Sequence, residues 1–187
     1  AMSIHTQTLK TFSKEDCHFG YRESVFKHEA KDQFIITSVV FKLTKENHKI
    51  NVGYGDIQGE LAKNNIENPT IKDVSNAVIA IRNSKLPNPK ELGNSGSFFK
   101  NPVISKEQFL KVQAQFPDIK FFEVGHNEIK VPAGWLIEHA GLKGYRKDDA
   151  GVHKNQALVL VNYGNATGQE ILALSRYVQK TVFDKYG

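Results

Sequence analysis

The chain has 187 residues and a formal net charge of +5, with 40% hydrophobic and 24% charged residues. This balance is ordinary for a globular protein. No apolar run approaches the roughly 20 residues of a membrane-spanning helix, and no apolar leader is recognisable, so we expect a cytoplasmic protein without a membrane contact. The positive charge favours an anionic partner. A nucleic acid is disfavoured, because no recognised nucleic-acid-binding motif accompanies the charge.

The first half of the chain predicts two strands and a helix. β-Branched and aromatic residues are concentrated in 34–43, and a shorter run of the same kind follows at 49–52. Thr70 can cap a helix whose apolar residues recur at helical spacing, and Leu86 with a following proline ends it.

Two cations, Arg82 and Lys85, are three residues apart at the end of this helix and therefore share one face. Taken alone, they favour a simple role, which is to complement the negative end of the helix dipole.

The second half alternates helices and strands. In order, we predict a helix from Ser105, a hairpin over 121–131, a short helix from Pro132, a buried strand over 157–161 and a helix from Thr167. The first and last of these helices begin with capping-box patterns. Mixed elements in this order predict an α+β fold.

A ten-residue run, 93–102, reads GNSGSFFKNP and combines glycines with a hydroxyl, an amide, a cation and two aromatic rings. Glycines permit close backbone approach, and Ser97 and Asn101 can donate hydrogen bonds to an anion. The spacing fits neither a P-loop nor a nucleophile elbow. From the residues alone, an anion-binding surface and a purely structural turn are both open.

Signals for metals and dinucleotides are weak. The seven histidines are scattered without metal-ligand spacing, so we expect no metal. The glycines around Tyr54 depart from the dinucleotide-binding fingerprint, and we predict a tight turn that presents Tyr54.

Six blocks of sequence occur in the order of a known family. They are CHFGYRESVFK (17–27), VGYGD (52–56), KLPNPK (85–90), GNSGSFFKNP (93–102), AGWLIE (133–138) and VHKNQAL (152–158). The chain resembles the UDP-N-acetylenolpyruvoylglucosamine reductases, flavin enzymes of bacterial peptidoglycan precursor synthesis. The resemblance extends from about residue 11 to residue 187.

The resemblance implies a reaction and a set of residues. The family uses NADPH and FAD to reduce the enolpyruvyl group of UDP-N-acetylglucosamine enolpyruvate. Ser97 matches the serine that donates a proton, and Arg22 matches the arginine that binds the enolpyruvyl carboxylate. The positions that hold the sugar nucleotide, mainly its diphosphate, are matched by Tyr21, Tyr54, Lys85, Asn101 and Gln156. Arg82 matches a cofactor contact.

The resemblance also implies a domain organisation. Residues 1–90 are expected to be the carboxy-terminal part of a VAO-type FAD-binding domain, and residues 91–187 a mixed α+β substrate-binding domain. Much of the family's flavin domain would precede the first block, so we expect this chain alone to bind FAD weakly or not at all and to be inactive. The alternatives are a non-catalytic module for UDP-sugars or other anions, and a nucleic-acid binder supported by charge alone. Ser97 and Arg22 favour the reductase, since a pure binder needs neither a proton donor nor an enolate clamp.

Overall fold

The computed structural model describes residues 1–53 and 55–187, which form two compact units, 1–49 and 50–187. The elements in chain order are β1 (Met2–Ser3), a 3₁₀ turn (Val25–Lys27), β2 (Phe34–Ile35), α1 (Ile57–Lys63), α2 (Ile71–Lys85), β3 (Gly93–Ser97), β4 (Val103–Ser105), α3 (Lys106–Gln115), β5 (Phe122–Gly125), β6 (Glu128–Lys130), α4 (Ala133–His139), β7 (Arg146–Lys147), β8 (Ala150–Val152), β9 (Val159–Asn162) and α5 (Gly168–Tyr186). No helix among the described residues is both long and apolar enough to cross a membrane.

The amino-terminal unit, 1–49, contains little regular structure. β1 pairs antiparallel with β2, and three aromatic rings, Phe12, Phe26 and Phe34, contact one another edge to face. Cys17 and Ala30 are buried in this unit.

The strands predicted over 34–43 and 49–52 are wrong beyond Ile35. Residues 36–53 belong to no strand, and Val40 is 94% exposed. The composition is suited to a strand, but a strand also needs a neighbour to accept and donate its backbone hydrogen bonds. No described strand pairs with residues 36–53, so these residues form no strand despite their high strand propensity.

In the unit 50–187, α1 and α2 form a pair around buried Ile57, Leu61 and Ala77. The predicted start of α2 is confirmed, because Thr70 and Asp73 form a reciprocal capping box. The helix ends at Lys85, immediately before the predicted terminator.

Two antiparallel sheets form the rest of this unit. The larger sheet has the strand order β3-β9-β8-β7, and the smaller has the order β4-β6-β5. Val152, Val159 and Val161 have no exposed surface, and α5 packs over β8 and β9 through Leu174 and Val178. The alternation of helices and strands predicted for this half is confirmed, including the hairpin, the last strand and the capped helix from Thr167.

The short helix begins one residue later than predicted. Pro132 is the residue that precedes α4, and Ala133 is its first helical residue. The mixture of helices with antiparallel sheets confirms the α+β class.

Candidate substrate-binding site

Ser97 is the last residue of β3, an edge strand of the larger sheet, and its side chain is exposed. Across the β3–β9 pair, Asn94 lies opposite Val161 and Ser97 lies opposite Val159. Two residues of β3 therefore stand opposite one of β9, which is a β-bulge. Gly96 in this bulge has φ 76°, a conformation that glycine adopts without the steric cost of a side chain. The bulge bends the backbone of β3 immediately before Ser97.

The half-buried side chain of Asn94 holds this bulge. Its Oδ1 accepts a hydrogen bond from the Gly96 N–H at 3.0 Å. Its Nδ2 donates to the carbonyls of Pro87 at 3.2 Å and Leu92 at 2.8 Å. One amide thus connects β3 to the turn that follows α2.

Asn101 lies four residues after Ser97, and its Oδ1 accepts a hydrogen bond from the Ala133 N–H at 2.9 Å. This bond fixes which end of the amide is oxygen, since a backbone N–H can only donate. No hydrogen bond among the described residues uses Nδ2 of Asn101. The part of the Asn101 side chain that remains without a hydrogen bond among the described residues is therefore its NH₂ donor.

Gln156 lies in the turn before β9 and has a similar orientation. Its Oε1 lies 3.5 Å from the Leu158 N–H, at the long limit of a hydrogen bond. The Leu158 carbonyl in turn accepts from the Phe98 N–H at 2.7 Å, next to Ser97. A Cβ on Gly134 would lie 3.5 Å from Leu158 and 3.8 Å from Gln156, so α4 approaches this turn closely.

The cations Lys85 and Arg82 are both exposed on the last turn of α2. Lys85 is two residues before Pro87, whose carbonyl is bound by Asn94. Four of the predicted residues, Ser97, Lys85, Asn101 and Gln156, therefore lie on segments joined directly by hydrogen bonds. Together they offer one cation, one hydroxyl and two amide donors, which suits an anionic ligand.

Tyr21 and Arg22 belong to the unit 1–49, where a bridge between Gly20 and Glu23 closes a tight turn. Tyr21 is 44% exposed. Arg22 is exposed and has φ 59°, an uncommon conformation for a residue with a side chain. Its carbonyl accepts a hydrogen bond from Nζ of Lys27. Tyr54 lies outside the described residues.

Next to the Gln156 turn, His153 is buried and donates its backbone N–H to the Val159 carbonyl at 2.9 Å. Burial lowers the pKa of His153, and the charge of Lys154 lowers it further. Nδ1 of His153 is buried without a partner among the described residues. Within residues 1–53 and 55–187, no group of three His, Cys, Asp or Glu side chains could hold a metal ion.

Comparison with known proteins gives the family. Residues 88–187 match the family model described as the carboxy-terminal domain of UDP-N-acetylenolpyruvoylglucosamine reductase. The chain belongs to this family. A reductase from Flavobacterium johnsoniae is 71% identical over 187 residues, which is 100% of this chain and 56% of that protein. One from Chromobacterium violaceum is 51% identical over 177 residues, or 95% of this chain and 52% of the relative.

The chain spans about half the length of the curated reductases it matches. A solved reductase structure from Thermus caldophilus is 27% identical and covers 59% of this chain and 30% of its own. Its TM-score of 0.37 is too low to support conclusions about the fold or the site.

In this member of the reductase family, one cavity of about 440 Å³ has a mainly apolar lining. Its walls include Phe98, Phe99, Ile104, Val112, Val178 and Tyr186. None of the predicted ligand-binding residues that the structure describes lines it. An apolar lining of this kind does not suit a charged sugar nucleotide.

The contacts of Asn94 and Gly134 are not among the predictions from the sequence, although Asn94 precedes Ser95-Gly96 in a pattern typical of a turn closed by an Asn side chain. That signal was available for Asn94. The contact of Gly134 with the Gln156 turn joins residues distant in sequence, and no local pattern predicts it.

Proposed function

We propose that this chain is the substrate-binding part of a bacterial cytoplasmic reductase that converts UDP-N-acetylglucosamine enolpyruvate to UDP-N-acetylmuramate. The observation that carries the proposal is the arrangement around Ser97. Asn101 and Gln156 both direct their amide oxygens to backbone N–H groups, which leaves their NH₂ groups to bind an anion. The family assignment of residues 88–187 supports the same conclusion.

The sugar nucleotide is held mainly at its diphosphate. Lys85 supplies a positive charge, and Asn101 and Gln156 supply hydrogen bonds that strengthen when the acceptor is charged. Tyr21 and Tyr54 are further proposed contacts to the sugar nucleotide. Residues 91–187 act as the substrate domain, and residues 1–90 as the end of a VAO-type FAD-binding region.

The proposed reaction adds two hydrogens across the enolpyruvyl double bond. Bound to the whole enzyme, FAD reduced by NADPH would supply the hydride for the methylene carbon. The electron pair of the double bond then moves to the adjacent carbon and its carboxylate, and Arg22 stabilises the growing negative charge. Ser97 donates its hydroxyl proton to that carbon and regains a proton from solvent, so that one hydride and one proton are consumed per product.

A serine hydroxyl is a weak acid in water, so this role requires a strongly basic carbanionic acceptor and a site from which water is excluded. The exposed position of Ser97 in this chain means that the substrate and the remaining walls of the site must supply that exclusion. We infer that the chain alone is inactive for this reason.

Arg82 is the proposed cofactor contact. It is exposed on the last turn of α2, and it lines none of three cavities formed by the described residues. No step above is therefore assigned to a flavin contact of this chain, and we propose that FAD is bound weakly or not at all by residues 1–187 alone.

The test is Ser97→Ala in the full-length protein, with Ser95→Ala as the control because Ser95 is exposed on the same strand. Flavin reduction by NADPH should be unchanged in both variants. Reoxidation of reduced flavin by the enolpyruvyl substrate should slow roughly 10²–10⁴-fold in Ser97→Ala only, the usual value of general acid catalysis. A wild-type protein that binds UDP-N-acetylglucosamine but does not reduce the enolpyruvyl compound would establish the non-catalytic binding module instead.

A further inference from the structure

Asn94 is a residue that the proposed reaction does not use, yet it makes more side-chain hydrogen bonds than its neighbours in the bulge. It accepts from the Gly96 N–H and donates to two carbonyls, those of Pro87 and Leu92. Its side chain is half-buried and lies three residues before Ser97. Both of its N–H donors are directed to backbone carbonyls, so it has no donor for a ligand.

We infer that Asn94 is a positioning residue that sets the direction of the Ser97 hydroxyl. This inference rests on the proposed role of Ser97 as proton donor. Asn94 acts through the Gly96 amide: its Oδ1 holds that amide at 3.0 Å, and Gly96 keeps the left-handed conformation that ends the bulge. Ser97 follows directly on the chain, so a rotation of the Gly96–Ser97 peptide would redirect its side chain.

The two hydrogen bonds that Nδ2 of Asn94 donates connect the bulge to the turn after α2. Pro87 and Leu92 lie in the turn after α2, and Lys85 is the last residue of that helix. Asn94 therefore holds the serine-bearing bulge against the segment that carries the proposed diphosphate cation. Lys85 itself is held by α2, so loss of Asn94 should disturb Ser97 more than Lys85.

The register of β3 against β9 is interrupted after Asn94 and resumes at Ser97, which lies opposite Val159. Asn94 therefore holds the bulged residues immediately before Ser97, where the ladder is disrupted. A displacement of about 1 Å in a catalytic group can cost roughly 10²-fold in rate.

The experiment compares Asn94→Ala and Asn94→Ser in the full-length protein. Both variants lose the two donor bonds, but a serine oxygen can still accept from the N–H two residues ahead. Asn94→Ala should slow reoxidation of reduced flavin by the enolpyruvyl substrate roughly 10–100-fold, and Asn94→Ser should recover part of that loss. KM should change less than the rate, and hydrogen exchange at the Gly96 amide should be faster in Asn94→Ala than in Asn94→Ser.

The matched control is Asn162→Ala. Asn162 is also half-buried and also makes three hydrogen bonds to the backbone, with Gly164 and Ala166, at the other end of the β3–β9 pair. Its replacement should lower stability to a similar extent and leave the rate of reoxidation unchanged.

A double variant separates positioning from general damage. If Asn94 acts through Ser97, Asn94→Ala should add no further loss to Ser97→Ala. A further loss in the double variant, or equal rates for Asn94→Ala and Asn162→Ala while Ser97→Ala is slow, overturns the positioning role alone. If Ser97→Ala itself has the wild-type rate, the proposed function and this inference are both overturned.

Discussion

The backbone N–H of Ala133 donates to the side-chain oxygen of Asn101 across 32 positions of sequence. This bond orients the side-chain amide of a residue that the sequence predicts to donate hydrogen bonds to an anion. It occupies the amide oxygen, so the group that makes no hydrogen bond among the described residues is the NH₂ donor.

The first prediction concerns Asn101→Asp. A carboxylate can still accept from the Ala133 N–H, so the free energy of unfolding should change little. The donor is lost and a negative charge faces the diphosphate, so the affinity for UDP-N-acetylglucosamine in the full-length protein should fall by roughly tenfold or more. Isothermal titration measures the affinity, and urea unfolding measures stability.

The control for charge is Asn127→Asp, which places a carboxylate in the exposed turn of the β5–β6 hairpin. It should bind the sugar nucleotide as the wild type does. Wild-type affinity in Asn101→Asp would show that the amide does not contact the ligand.

A second prediction uses Gly96→Ala. A Cβ at this position meets no atom within 4 Å, so its cost comes from the backbone, which has φ 76°. Holding a residue with a side chain in this conformation should lower the free energy of unfolding by roughly 1–2 kcal/mol. Gly168→Ala is the control, because it also meets no atom within 4 Å but starts α5 without a positive φ. It should be neutral or stabilising in urea unfolding, and equal stability of the two variants would argue against strain at Gly96.

The third prediction concerns pH. Burial lowers the pKa of His153 below its ordinary value of 6.5, so in this range the unfolded chain binds more protons than the folded one. The free energy of unfolding should therefore fall as the pH decreases below about 6.5. Glu170 and Asp73, whose pKa values are also lowered by capping hydrogen bonds, contribute only nearer to pH 4 because the ordinary pKa values of these groups are 4.5 and 3.8.

Urea unfolding between pH 7 and pH 5 tests this by comparing His153→Leu with the wild-type protein. The slope of stability against pH should be smaller in His153→Leu, whatever its absolute stability. If the slope is the same in His153→Leu and in the wild-type protein, His153 is not the source of the pH dependence.

A fourth prediction tests the capping box of α5. Thr167 Oγ1 accepts from the Glu170 N–H at 3.3 Å. Thr167→Ala should lower the free energy of unfolding by roughly 1 kcal/mol, because it leaves a helix-end donor without its partner. Thr181→Ala is the matched control, since the Thr181 hydroxyl bonds only to the Tyr177 carbonyl within the helix. If both variants unfold at the same urea concentration, the cap contributes nothing measurable.

Local rules predicted much of the second half of the chain. The capping patterns at Thr70, Ser105 and Thr167 placed the starts of three helices, and each hydroxyl accepts the expected N–H. Capping patterns predict helix starts well because the side-chain oxygen and the backbone N–H that it binds lie within four residues of each other. The prediction of a strand from composition failed over 36–43, because these residues have the composition of a strand but pair with no described strand.

The sequence by itself determined the family resemblance, the helix starts and the identity of the polar residues around Ser97. The tertiary structure decided how those residues are used. It bonded the Asn101 oxygen to Ala133, placed the Gln156 turn beside Phe98, and tied Asn94 to Pro87. The division has a physical reason: caps and turns are satisfied by neighbours in sequence, whereas the orientation of a side-chain amide depends on backbone groups that only folding brings within 3 Å.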